Sequence, residues 1–277
     1  MSKSANNYID DNSIWLRLKN GKEVPRYLYK YKASLPNLSQ EKLITLLNKP
    51  DIRYTELEEN EKLWFEFIQL VCEEKIYLSD PRQFNDPFEF RPTKESFRKA
   101  FPKLPDEILN GIYKHNNYAR NMGVFCFTSK NDNIPMWSHY ASCHKGYCVI
   151  FNVKQMFEND NNPVCSTIQV DYQHTRDDLD LHGWKTNDEE YLRKFILTKA
   201  KHWEYENEYR CFKPCKNEKE RIIALPKCSV KGIICGCKMD KFLREKFKKL
   251  GDEKQIAVYF AEISSDKYAI DIPGWNE

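Results

Sequence analysis

Two periodicities run through the chain. Tyr27-Leu28-Tyr29-Lys30-Tyr31 opens a period-two pattern and predicts a first strand. Ser39 is placed to cap a helix through Leu43, Ile44, Leu46 and Leu47. From Asn60 to Cys72 the apolar positions Leu63, Trp64, Phe67, Ile68 and Val71 fall on one helical face. Lys75 to Leu78 predicts a short strand leading into Pro81 and the turn Phe84-Asn85-Asp86-Pro87-Phe88, whose Asn, Asp and Pro favour turn geometry. Helices are expected around 94–101 and 105–118, a buried strand over Gly123–Thr128, and a short helix from Ile134 to Ser142 with Pro135 in its first turn. Further strands are expected at Gly146–Phe151, Ile168–Tyr172, Tyr209–Phe212, Arg221–Leu225, Gly232–Cys235 and Val258–Glu262. Helices are expected over 188–202 and 240–250.

Strands and helices do not alternate in strict βαβ order, which argues for an α+β fold: a mixed, largely antiparallel sheet core with several flanking helices. Residues 1–24 are polar and predict a flexible N-terminal arm; residues 25–277 predict a single α+β domain. Residues 173–187, rich in Asp and His, are expected to form a mobile loop.

Composition narrows the function classes. Lys+Arg 44 against Asp+Glu 41 leaves a formal charge of +3, too balanced to indicate nucleic-acid binding from charge. No apolar run is long enough to span a bilayer, and the start Met1-Ser2-Lys3-Ser4-Ala5 lacks the apolar core of a secretory signal. A cytoplasmic protein with no membrane partner is the expectation, its ten scattered cysteines reduced and mostly buried. There is no Gly-rich dinucleotide fingerprint and no Walker-type phosphate loop. With nine glycines in all, any phosphate must be held by side chains or a helix N-terminus.

The densest chemistry is Trp203-Glu204-Tyr205-Glu206-Asn207-Glu208-Tyr209-Arg210. As a strand it places Glu204, Glu206 and Glu208 on one face with Arg210. As the end of a helix it places Glu204-Glu208 and Glu206-Arg210 at i,i+4 on a solvated face. The aromatic residues and Pro214 favour the strand. His139, Cys143, His144 and Cys148 do not have the spacing of a known zinc finger, and no metal is expected. In Trp137-Ser138-His139-Tyr140, adjacency on a helix gives no Ser-His pair, and Trp137 is expected to pack inward.

Several strings in order carry a resemblance: Leu28-Tyr29-Lys30-Tyr31, Leu78-Ser79-Asp80-Pro81 with Phe84-Asn85-Asp86-Pro87-Phe88, Trp137-Ser138-His139-Tyr140 followed by Gly146, and Lys199 with Trp203 through Arg210. Together, over about residues 27–237, they resemble a widespread bacterial family known as a domain of unknown function, DUF2971. More distantly, the chain resembles ADP-ribosyltransferases. These carry a basic or histidine residue on an early strand, a Ser/Thr-containing middle strand and a late Glu-x-Glu. Here those places are taken by Lys30, by Phe127-Thr128-Ser129 and by Glu206-Asn207-Glu208. Lys30 departs from the usual Arg or His and lacks a planar bidentate contact.

What this second resemblance implies is a small split α+β fold and cleavage of the nicotinamide–ribose bond of NAD, by transfer or hydrolysis, in a bacterial conflict or phage-defence effector. Glu208 would stabilise the oxocarbenium-like charge and Glu206 would orient or deprotonate an acceptor, protein or nucleic acid. Thr128 and Ser129 would shape the pocket, Tyr31, Trp137 or Tyr205 would stack on nicotinamide, and Lys30 and Arg210 would complete the dinucleotide-binding set. Two other readings stay open. One is a non-catalytic binding module in which Glu206, Glu208 and Arg210 form a structural ion-pair network. The other is a nucleic-acid-processing enzyme using Asp86, Glu89 and His139 around a divalent metal.

Overall fold

The structure is a computed structural model that describes residues 15–17, 23–48, 56–114, 119, 121–157, 167–176, 179, 181 and 189–276. In chain order the first elements are β1 (Trp15–Arg17), β2 (Glu23–Pro25), β3 (Tyr27–Lys32), α1 (Gln40–Asn48), α2 (Glu59–Phe67) and β4 (Lys75–Tyr77). They are followed by α3 (Lys94–Ala100), α4 (Asp106–Lys114), β5 (Met122–Thr128), α5 (Ile134–Tyr140), β6 (Tyr147–Asn152) and α6 (Val153–Met156). Next come β7 (Ile168–Gln169), β8 (Asp171–Gln173), α7 (Glu189–Leu197), β9 (Thr198–Ala200), β10 (Glu208–Pro214) and β11 (Ile222–Ala224). The chain closes with β12 (Val230–Cys235), α8 (Lys241–Lys254), β13 (Ala257–Phe260), β14 (Glu262–Ile263) and β15 (Ile270–Asp271). This is a mixed α+β fold with a large, mostly antiparallel sheet, in agreement with the order of elements read from the sequence. No helix among the described residues is long and apolar enough to cross a membrane.

The chain divides into two compact units: residues 1–77, 127–165 and 223–277 in the first, residues 78–126 and 166–222 in the second. In the first, β6 lies between β3 and β12, antiparallel to both, with Ile150 opposite Tyr29 and Val149 opposite Ile233. Tyr147 to Phe151 are all buried, as a strand covered on both faces must be apolar throughout. β13 pairs in parallel with β12. A parallel neighbour requires a crossover, and α8 supplies it. Asp240 caps α8, its carboxyl accepting from the Leu243 N–H at 2.9 Å. Phe67, Tyr147 and Phe247 pack with ring centroids 5.3–5.4 Å apart.

Helix α2 starts on a capping box between Glu58 and Glu61. It does not continue as α-helix to Cys72. Residues Ile68–Cys72 form a π-turn, with the Glu73 N–H donating to Ile68 O at 3.1 Å. Of the expected N-terminal arm, β1 and β2 are described. They pair antiparallel with Leu16 opposite Val24, both buried, and the rest of 1–24 lies outside the described residues.

In the second unit, β10 pairs antiparallel with β7, Tyr209 opposite Gln169 and Arg210 opposite Ile168. Its core gathers Phe90, Val124, Tyr191, Phe195, Ile196 and Leu197. Two expectations are corrected here. The helix expected over 188–202 ends at Leu197, because Thr198–Ala200 turns extended and pairs in parallel with β8, Tyr172 opposite Lys199. The strand expected over Ile168–Tyr172 is two short strands parted at Val170. Both differences come from pairing between distant segments, which local periodicity does not report. Most of the expected loop 173–187 lies outside the described residues.

Candidate functional site

The Glu-rich segment takes neither of its two expected forms throughout. Lys201–Glu206 winds as a 3-10 turn, Asn207 adopts a left-handed conformation at φ 44°, and β10 starts at Glu208. Asn tolerates that backbone better than most residues. The break scatters the three carboxylates. Glu204 is exposed and pairs with Lys201 at 2.5 Å, whereas Glu206 and Glu208 turn inward and are 3% exposed. Glu208 and Arg210, two apart on β10, share its inner face.

Five charged side chains of the second unit meet there. Arg210, fully buried, donates from Nε to Glu208 Oε1 at 2.7 Å and from Nη2 to Glu208 Oε2 at 3.0 Å. Its Nη1 donates to Ile196 O at 2.5 Å, and its Nη2 also reaches Glu89 Oε2. The rings of Phe84 and Phe90 lie 5.9 and 5.1 Å from the guanidinium. Lys199 Nζ lies 2.5 Å from Glu206, 2.9 Å from Glu208 and 3.2 Å from Glu89. The hydroxyl of Tyr172, whose residue stands opposite Lys199 in the β8–β9 pair, accepts from the Glu208 N–H at 2.8 Å.

Electrostatics separates the carboxylates. Burial opposes ionisation of Glu208, but Arg210 and Lys199 outweigh it and hold its carboxyl well below the usual range. For Glu89 burial prevails over the same two cations, and its pKa is raised. Lys199 is pushed well above the ordinary lysine range: burial would lower it, but Glu208, Glu89 and Glu206 together raise it.

Beside the network is a cavity of about 260 Å³ whose wall is built by the second unit, including Asp86, Glu89, Arg91, Arg176, Lys194 and Lys199. The network therefore shows the cavity its Glu89 and Lys199 members. Glu206, Glu208 and Arg210 stand as the layer that holds those two. The turn over 84–88 forms as expected, Asp86 Oδ1 accepting from the Phe88 N–H at 2.9 Å.

The remaining residues proposed from the sequence are placed as follows. Tyr205 is half-buried, its ring 6.1 Å from that of Trp203. The other candidates belong to the first unit. Lys30 lies on β3 opposite Val149. Tyr31 is buried, donates to Lys130 O at 3.0 Å, and packs edge-on against Trp137 at 5.0 Å. Trp137 is fully buried and donates from Nε1 to Asn131 O at 2.8 Å. Thr128 is buried with Oγ1 accepting from the Lys130 N–H at 3.0 Å, and Ser129 beside it is half-buried. These contacts spend the two rings and the Thr128 hydroxyl inside the first unit. Among the described residues, no three His, Cys, Asp or Glu side chains are grouped to hold a metal ion.

Local pattern gives Lys199 no distinct role, because a lysine inside an expected helix reads as surface charge. Glu89 is 121 residues from Arg210 in sequence, and no local spacing links them.

Residues 136–211 match the model of a family described as a protein of unknown function, DUF2971. The matched stretch, about a quarter of the chain, contains Trp137-Ser138-His139-Tyr140 and Lys199, Glu206, Glu208 and Arg210, and it supports that part of the resemblance carried by the ordered strings. No curated protein and no solved structure matches the chain.

Proposed function

We propose that this protein is a ligand-binding module whose cavity in the second unit receives a phosphate-bearing, nucleotide-type molecule, with NAD the first ligand to test. The observation that carries the reading is the state of Glu208. Both of its oxygens are held by buried cations, so it acts as a structural counter-ion for Arg210 and Lys199 and has no oxygen left for a substrate. The cavity wall offers cationic Arg91, Arg176 and Lys194, the side-chain chemistry that phosphate requires where no Gly-rich loop exists. At about 260 Å³ the space falls near the small end of ligand clefts, which suits one nucleotide half of a dinucleotide rather than the whole.

A second reading keeps the ADP-ribosyltransferase-like activity and rests on a different residue. Glu89 is in the cavity wall, and burial raises its pKa, so it holds a proton more readily than an ordinary Glu. In that reading Glu89, steadied by Lys199, faces the nicotinamide–ribose bond, and Glu208 and Glu206 position Lys199.

Calorimetry with NAD and an assay of nicotinamide release, run on the same protein and on Glu89→Gln, separate the two. Binding without release establishes the module. Release that Glu89→Gln abolishes establishes the enzyme. Neither binding nor release overturns both.

A further inference from the structure

Among the described residues, five buried side-chain polar atoms have no hydrogen-bond partner, and three of them belong to one turn: Asp86 Oδ2, Glu89 Oε1 and Arg91 Nε. All three residues line the cavity. Asp86 is 4% exposed and Glu89 5%. Buried polar atoms are costly to leave unpaired, so a concentration of them in one cavity wall marks where a ligand completes the bonding.

The turn is built to hold them there. Each carboxyl has one oxygen anchored, Asp86 Oδ1 by the Phe88 N–H at 2.9 Å and Glu89 Oε2 by Arg210. Asp86 Oδ2 is left without a partner, and Glu89 Oε1 has the Lys199 ammonium 3.2 Å away as an ion pair but makes no aligned hydrogen bond. Between Glu89 and Arg91, Phe90 has φ 51°, a left-handed backbone that a bulky residue adopts only when its surroundings impose it. Its ring is sunk in the core, 5.5 Å from Phe84 and 6.0 Å from Phe195. The strain is borne at the residue that separates the two cavity-facing side chains.

What would satisfy these atoms follows from their charges. Two carboxyl oxygens call for donors. An ammonium group or a metal ion is repelled by Lys199, 3.2 Å from Glu89 Oε1, and by Arg91, Arg176 and Lys194 in the same wall. Neutral hydroxyl donors meet no such penalty. The Arg91 Nε–H, in turn, calls for an acceptor, and an anionic one is favoured by the surrounding cations.

We propose that the turn Asp86–Arg91 recognises a ribose phosphate: Asp86 Oδ2 and Glu89 Oε1 accept from the two vicinal hydroxyls of the sugar, and Arg91 binds the attached phosphate. This rests on the nucleotide-binding reading and adds to it that the sugar, not the phosphate alone, is selected. The cleft then prefers ribonucleotides to their deoxy counterparts.

The test is calorimetric titration of the full chain with NAD, nicotinamide mononucleotide, adenosine monophosphate, the 2′-deoxyribose counterpart of each mononucleotide, and pyrophosphate. The expected result is that at least one ribonucleotide binds about tenfold or more tightly than its deoxy counterpart. In Asp86→Asn, which keeps the anchoring oxygen and turns the other position into a donor, that preference collapses. The comparison of ligands on the unaltered protein stands even if the variant does not fold. Equal binding of ribo- and deoxyribonucleotides, or binding of pyrophosphate as tight as either, overturns the sugar-reading turn and leaves the anion site standing. Binding of none of the ligands overturns the nucleotide-binding reading with it.

Discussion

At the scale of single residues, Lys199 is the side chain on which the buried cluster turns. It separates Glu89, Glu206 and Glu208, which would otherwise repel one another with Arg210 as the cluster's remaining cation. Removing one member of a buried pair leaves its partner charged and unmatched, a cost of about 3–5 kcal/mol. Lys199→Met is therefore expected to lower unfolding stability by about that amount. Urea denaturation checks it, and a loss below about 1 kcal/mol would show that the carboxylates find other partners.

The same cluster sets a pH dependence of two signs. Glu208 stays ionised when folded at a pH where the unfolded chain has taken up a proton, so its contribution is present above the ordinary Glu range and is lost as pH falls towards its lower folded value. Glu89 runs the other way. Its folded pKa is raised, the folded chain keeps a proton the unfolded chain has released, and its contribution declines as pH rises from the ordinary Glu range through the raised value. Urea midpoints measured against pH should show a flatter acid limb in Glu208→Gln and a flatter decline above the ordinary Glu range in Glu89→Gln.

At the scale of elements, close approach rather than sequence pattern decides what is tolerated. A Cβ added at Gly146, just before β6, would stand 2.2 Å from Lys32 O, and one at Gly236, just after β12, 2.2 Å from His144 O. Backbone on both sides leaves neither contact a flexible way out. Gly146→Ala is expected to destabilise by at least the roughly 1–3 kcal/mol of an overpacked core. Gly111 in α4 has nothing within 4 Å of an added Cβ. Gly111→Ala should gain up to about 1 kcal/mol from helix propensity. Thermal melts of the two variants should shift in opposite directions; an unchanged or raised midpoint for Gly146→Ala would contradict the packing described around Gly146, and a lowered one for Gly111→Ala the open space at Gly111.

At the scale of the whole molecule, the chain enters the second unit twice, through 78–126 and 166–222, and the cavity wall draws on both passages. A ligand that binds there stabilises the folded chain by mass action, by about 2.7 kcal/mol at a hundredfold excess over Kd. Hydrogen exchange with saturating NAD should therefore gain protection within those two segments. Protection centred instead on β3, β6 and β12 would place the ligand elsewhere. Because the proposed contacts are charged, affinity should also fall as salt is raised.

The amino-acid sequence by itself determined the elements whose signals are local. The strand over Tyr27–Tyr31, the apolar run before Thr128, the Ser39 cap and the Asn-Asp-Pro turn each act within a few residues, and each appears in the structure. Local signals also singled out Glu206, Glu208 and Arg210 as unusual, since charge crowded onto one segment is visible in any conformation. Tertiary structure decided the rest. Only the parallel pairing of Tyr172 with Lys199 takes that lysine out of an expected helix and buries it among three carboxylates. Only folding brings Glu89 to Arg210 and leaves Asp86, Glu89 and Arg91 around a cavity. The physical reason is that periodicity and capping record the free energy of neighbours along the chain. The charge state, partners and exposure of a side chain are set by groups that are neighbours in space alone.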